Sequence, residues 1–227
     1  MFKSLLLLSV LSISLASQTI PLPKTLDGLS LGQSNSSFVL EAHYDLLCPD
    51  SRDSYFILSQ VLQDFNLSTN SNFLFTIHFF PLPYHTFAHR VAIGERYLQD
   101  NFGSIVAWEY VELMFRTQET FYNGNISNST LMATDEKLAR HVEKNIGVPA
   151  DFFLNGLNDS DYDGEVRISW KFGCSRTVSG APFYFVNGIK VDDAPGFNYT
   201  GWVNFLQDYV NLNETQSLKE SIRYLRR

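Results

Sequence analysis

The spacing of apolar and polar residues changes period several times along the chain, and each change marks an expected element. The segment Phe38-Val39-Leu40-Glu41-Ala42-His43-Tyr44-Asp45-Leu46-Leu47 is dense in apolar and β-forming residues. It reads as a buried strand running directly into Cys48. Pro49 follows, a residue suited to a first helical turn because its missing amide would have had no partner there. Tyr55, Leu58, Val61, Leu62 and Phe65 then recur at helical spacing, which predicts a helix from about Pro49 to Phe65. Phe73-Leu74-Phe75-Thr76-Ile77-His78-Phe79-Phe80 reads as a second strand, ended by Pro81-Leu82-Pro83. These pieces make a β-α-β unit with Cys48 at the carboxyl ends of its strands, where open α/β sheets tend to place their chemistry.

From His85 to about Val178 the pattern is helical only, with expected helices at Ala88 to Tyr97, Ile105 to Phe115, Glu136 to Asn145 and Asp161 to Lys171. About ninety residues of this kind look like an insertion. Asn123 to Thr130, with Gly124, reads as a surface loop within it. The stripe Val106, Tyr110, Leu113 and Met114 has core spacing. Strands return at Phe183 to Val186, turn at Asn187-Gly188, a strong hairpin signal, and continue through Ile189 and Val191. A closing helix is expected from about Thr200 to Val210, burying Trp202, Phe205, Leu206 and Tyr209. The organisation expected is therefore α/β: residues 37–84 and 179–210 form one domain, a helical domain at 85–178 is inserted in it, and a tail occupies 211–227.

The N-terminus adds a different kind of signal. Lys3 precedes the apolar stretch Leu5 to Leu15, and the small residues Ser14, Ala16 and Ser17 follow, the layout of a cleaved secretory signal over residues 1–17. Roughly eleven apolar-rich residues are too few for a stop-transfer helix, and residues 18–36 then lead into the domain. Seven Asn-x-Ser/Thr sequons, at Asn35, Asn66, Asn125, Asn128, Asn158, Asn198 and Asn213, exceed the roughly two or three that chance would give. Passage through the secretory pathway is expected, and the terminal Tyr224-Leu225-Arg226-Arg227 is not a retention tetrapeptide, so a secreted or lumenal protein is expected. An apolar fraction of 44% with 19 Phe suffices for a real core. A formal net charge of -7 argues against nucleic acid as a partner.

Thiol chemistry centres on Cys48-Pro49-Asp50-Ser51. A Cys at a helix start faces unpaired amides and the positive end of the helix dipole, which favour a thiolate. Ser51 would donate a hydrogen bond to it, while the charge of Asp50 would oppose both effects. The other reading makes Cys48 a buried or bridged residue without redox work. Cys174, the second of only two Cys, has three readings: an apolar filler pointing into the core, which is favoured, a distant resolving or bridging partner for Cys48, or an intermolecular thiol. A Cys48–Cys174 bridge would close a loop of over a hundred residues and contribute at most ~4.7 kcal/mol. His85 and His89 have metal-ligand spacing on an expected helix, but surface histidines are favoured and no metal is expected. His43 and Asp45, just before Cys48, either tune the thiol and its proton or are paired in the interior.

The order strand, Cys-Pro-x-Ser, helix, strand, helical insertion, Gly-Ala-Pro, hairpin and helix resembles the DsbA-like branch of the thioredoxin superfamily, most closely its eukaryotic secretory relatives. The resemblance covers about Ser37 to Val210. Its most specific segments are Tyr44 to Ser54 around Cys48-Pro49-Asp50-Ser51, Pro81-Leu82-Pro83-Tyr84-His85, and Gly180-Ala181-Pro182 through Asn187-Gly188. It implies a thioredoxin-like fold with a helical insertion between a β-α-β half and a β-β-α half. It also implies that Cys48 is the attacking thiol, with Ser51 beside it, and that Pro182 is a cis-proline facing it. Pro49, Asp50 and Ala181 are then expected to border a bound client, the Ala181 backbone pairing with an extended segment. Family members that oxidise dithiols carry a Cys where this chain has Ser51, so the activities implied are isomerisation or reduction through mixed disulfides with client polypeptides that bear thiols or disulfides. A redox-inactive peptide-binding module and a glutathione-using transferase or isomerase are the alternatives; no bound cofactor is expected, with glutathione at most a redox co-substrate.

Overall fold

A strand that the sequence pattern does not announce begins the fold. In a computed structural model, which describes Pro23 and residues 25–70 and 72–210, β1 (Leu29–Gly32) pairs antiparallel with a later strand. Four residues are too short for an alternation to stand out, and the strand forms because Leu29 reaches the core and Gly32 adopts a φ of +108°. A Cβ at Gly32 would lie 2.3 Å from Phe73 O, so only glycine permits this approach. The expected signal segment 1–17, the tail 211–227 and Asn213 lie outside the described residues.

β2 (Phe38–Tyr44), α1 (Pro49–Asp64) and β3 (Phe73–Phe79) form the expected β-α-β unit, with β2 and β3 parallel and His43 opposite His78. β2 stops at Tyr44 and does not reach Leu47, because Asp45 folds the chain back. Its carbonyl accepts from Cys48 N at 3.0 Å and its carboxylate from Leu47 N at 2.7 Å. The helical insertion then runs through α2 (Ala88–Phe102), α3 (Ser104–Thr117), a short turn α4 (Asn123–Ile126), α5 (Leu131–Ile146), α6 (Ala150–Leu157) and α7 (Ser160–Ser175). α6 was not expected from the pattern, and α5 begins at Leu131 rather than Glu136 because the Thr130 hydroxyl caps it, accepting from Ala133 N.

β4 (Phe183–Val186) returns antiparallel to β2, and β5 (Ile189–Lys190) closes the hairpin. Asn187 and Gly188 both take positive φ, 48° and 80°, as a two-residue primed turn requires. α8 (Tyr199–Gln207), capped by the Asn198 side chain, ends the described fold. It is shorter than expected, and Tyr209 beyond it is 51% exposed rather than buried. The sheet order is β1-β3-β2-β4-β5.

Strand alternation sorts side chains onto two faces. Tyr44 and Tyr184 face α1 and α8, where their hydroxyls meet at 2.5 Å and Ser54 Oγ lies 2.6 Å from Tyr184. Trp202 packs edge-on against Tyr184. On the other face, under α7, lies a charged cluster. His78 Nδ1 is 2.6 Å from Asp27 and Nε2 is 3.2 Å from Glu41. Arg96 and Ser169 also bond Asp27, and Arg176 grips both oxygens of Glu41. Burial alone would depress the His78 pKa, but the two carboxylates outweigh it and the net shift is upward. The cluster ties the segment before β1 to the sheet and to two insertion helices, and it compensates charge that would be costly to bury alone.

Candidate thiol site

Cys48 occupies the N-cap position of α1, with Pro49 opening the helix. The chain reaches it through the Asp45 turn, and Cys48 O accepts the first helical bond from Arg52 N. Facing it is the Ala181–Pro182 peptide, which is cis. Cys48 Sγ lies 3.4 Å from Ala181 O, to which the thiol donates. Two segments 133 residues apart thus meet at one sulfur.

The surroundings of that sulfur are drier than the sequence implied. Cys48 is only 4% exposed and belongs to a small apolar cluster with Phe80, Leu82, Val178, Phe183 and Phe185. Burial pushes its pKa up, opposed by the Ser51 amide and hydroxyl and the Asp50 amide. The net direction is upward, so the expected depression is corrected: desolvation by residues distant in sequence outweighs the helix terminus. The bond to Ala181 O works in the same direction, since it is made by the neutral thiol. The opposing carboxylate is also corrected. It is Asp45 whose charge raises the thiol, whereas Asp50 acts through its backbone N–H. Ser51 is fully buried, while Pro49 and Asp50 are exposed at the rim.

Asp45 is the hub of the site. It is 1% exposed, with Oδ1 accepting from Leu47 N, and Oδ2 from Leu82 N at 2.8 Å and His85 Nδ1 at 2.7 Å. Gln118, from the insertion and unmarked by any motif, completes the support. Its Nε2 donates to Leu46 O at 3.0 Å and Cys48 O at 3.3 Å, and its Oε1 accepts from Tyr122 OH at 2.5 Å. Leu47, Pro49, His85, Phe121, Tyr122 and Asn123 line a hollow of about 260 Å³ beside the cysteine.

No family model matches the chain, and no curated protein matches it. Among solved structures it is similar to a putative protein-disulfide isomerase from Pseudomonas syringae, with TM-score 0.65 and 18% identity over 79% of this chain and 98% of that one. It is similar to alpha-DsbA1 of Wolbachia pipientis, with TM-score 0.65 and 14% identity over 87% and 95% of the two chains. BdbD from Bacillus subtilis in its oxidised form gives TM-score 0.64 and 12% identity over 80% and 91%.

The chain has the DsbA-like thioredoxin fold. Within that fold the other sequence candidates separate. Cys174, near the end of α7, is exposed and free, and Cys48 is free as well. This corrects the expectation of a core filler: α7 turns Gly173 inward, where a Cβ would meet Phe80 at 2.9 Å, and so turns Cys174 outward. His85 and His89 do not converge, since His85 pairs with Asp45 and His89 Nε2 with Asp163 at 2.7 Å. Among the described residues no cluster of three or more His, Cys, Asp and Glu is placed to hold a metal. His43 is fully buried, stacks on His78 and has no hydrogen-bond partner; burial lowers its pKa to about 3. Asn35, Asn66, Asn125, Asn128, Asn158 and Asn198 are all exposed. No helix among the described residues is long and apolar enough to cross a membrane.

Proposed function

We propose that this protein is a thiol-disulfide exchange protein that uses Cys48 alone, forming mixed disulfides with client polypeptides in isomerase or reductase fashion. The observation that carries the reading is the meeting of Cys48 Sγ with Ala181 O across the cis Ala181–Pro182 bond. This arrangement offers a nucleophile and an extended backbone edge to the same client segment. With Ser51 three residues on, a mixed disulfide is released by a client thiol or by glutathione acting as co-substrate, not by a local second cysteine. Pro49, Asp50 and Ala181 border the bound client. The signal-like N-terminus and the exposed sequons support work in the secretory pathway as a secreted or lumenal glycoprotein, akin to eukaryotic secretory DsbA-like proteins with a Cys-Pro-Asp-Ser site.

A second reading is favoured by the burial of Cys48 and its raised pKa. In it the groove beside Pro182 holds extended peptide without exchange. Mass spectrometry of natively secreted protein, alkylated before and after reduction, separates the two. A client or glutathione adduct at Cys48, absent in Cys48→Ala, is the result expected. Cys48 recovered entirely as free thiol, with peptide affinity unchanged in Cys48→Ala, would replace exchange with binding.

A further inference from the structure

We propose that His85, oriented by Asp45, is the acid–base group of the exchange reaction, carrying the Cys48 proton to the client sulfur that leaves. This rests on the exchange reading above. A buried monothiol site has a specific difficulty: the attacking sulfur must lose a proton and the departing sulfur must gain one, in surroundings with little water. Asp45 links both sides of that problem. One of its oxygens holds Leu47 N, next to Cys48, and the other holds Leu82 N and His85 Nδ1. With Nδ1 committed to the carboxylate, Nε2 is the nitrogen left for proton transfer. The ring is 21% exposed and lines the same hollow as Leu47 and Pro49, the two neighbours of Cys48 in the chain. Tyr122 lines the same hollow.

The step balances without an external oxidant or reductant. His85 Nε2 takes the Cys48 proton, and the thiolate attacks one sulfur of a client disulfide R–S–S–R′. The Cys48–S–S–R bond forms as the R–S–S–R′ bond breaks, the electron pair leaves on R′S⁻, and His85 returns the proton to give R′SH. Release by a client thiol runs the same transfer in reverse.

The test compares two disulfides in a Cys174→Ser background, so that only Cys48 reports. Glutathione disulfide expels an alkyl thiolate that needs a proton, whereas dithiobis(nitrobenzoate) expels an aromatic thiolate stable without one. His85→Asn keeps an amide N–H near the Nδ1 position for Asp45 and lacks the second nitrogen. Its rate loss relative to the parent is expected to be at least about tenfold greater with glutathione disulfide than with the aromatic disulfide. Equal losses with both would make His85 a structural residue, and no loss with either would remove it from the reaction; each outcome overturns the proposal and leaves exchange at Cys48 standing. A parent that reacts with neither disulfide refutes the exchange reading itself, and this inference with it.

Discussion

Replacing Gln118 with alanine should loosen the loop that carries the thiol. Gln118 is fully buried and its amide makes three hydrogen bonds: to Leu46 O, to Cys48 O and from Tyr122 OH. The three positions are not equivalent. Cys48 O keeps its bond from Arg52 N, and the partly exposed Tyr122 hydroxyl can turn to water. Leu46 is only 2% exposed, and its carbonyl would lose the bond from Gln118 Nε2. With about 1 kcal/mol for the bond lost outright and about 2 kcal/mol for the carbonyl left unpaired in the interior, Gln118→Ala should destabilise by about 3 kcal/mol. For a domain of this size that corresponds to a fall in Tm of about 6–12 °C. Thermal unfolding measures the first effect, and the rate of Cys48 alkylation well below Tm measures the second, which should rise as the loop opens. A Tm change under about 2 °C with unchanged alkylation would refute the idea that the insertion holds the thiol loop.

Three other outcomes are expected. In the Glu95 carboxyl, fully buried without a hydrogen-bond partner, burial pushes the pKa from 4.5 up to about 8. The folded chain then keeps a proton that the unfolded chain releases, so stability is full below about pH 4.5 and falls as pH rises towards 8. Glu95→Gln should remove that slope and gain roughly 4 kcal/mol on the parent between pH 5 and pH 8 by denaturant unfolding; parallel curves would contradict this. Iodoacetamide at pH 7 should modify exposed Cys174 faster than Cys48, and the opposite order would show that Cys48 is not the buried neutral thiol described. Gly156→Ala should destabilise by about 1–3 kcal/mol despite better helix propensity, because its Cβ would lie 2.1 Å from the Tyr97 ring; an unchanged midpoint would mean that the ring moves freely.

What was legible in the sequence was what neighbouring residues decide. The run from Phe38 into Cys48-Pro49, the helical recurrence to Phe65 and the Asn187-Gly188 turn all announce themselves, because propensity, proline geometry and turn chemistry act over a few residues. The site was legible as positions and not as an environment. Cys48 and Pro182 could be named, but the dryness around the thiol comes from Phe80, Leu82, Val178, Phe183 and Phe185, which only the fold brings together. The upward direction of its pKa was therefore out of reach, as was Gln118, an ordinary polar residue until Leu46 and Cys48 are set beside it. Cys174 shows the same limit on one helix, since a rotation of a single residue decides whether Gly173 or Cys174 faces the sheet. β1 leaves no pattern in the sequence because four residues hold too few periods, and α6 leaves none because eight residues span little more than two turns.

The charged cluster beneath α7 has a consequence for where the chain tolerates truncation. Asp27 precedes β1 by two residues, yet His78, Arg96 and Ser169 all bond to it. A truncation that removed Asp27 would leave an interior arginine and histidine without that counter-charge, so the fold sets a thermodynamic boundary there. A chain starting at β1 itself would have every described strand and lack the anion that holds His78, Arg96 and Ser169 together.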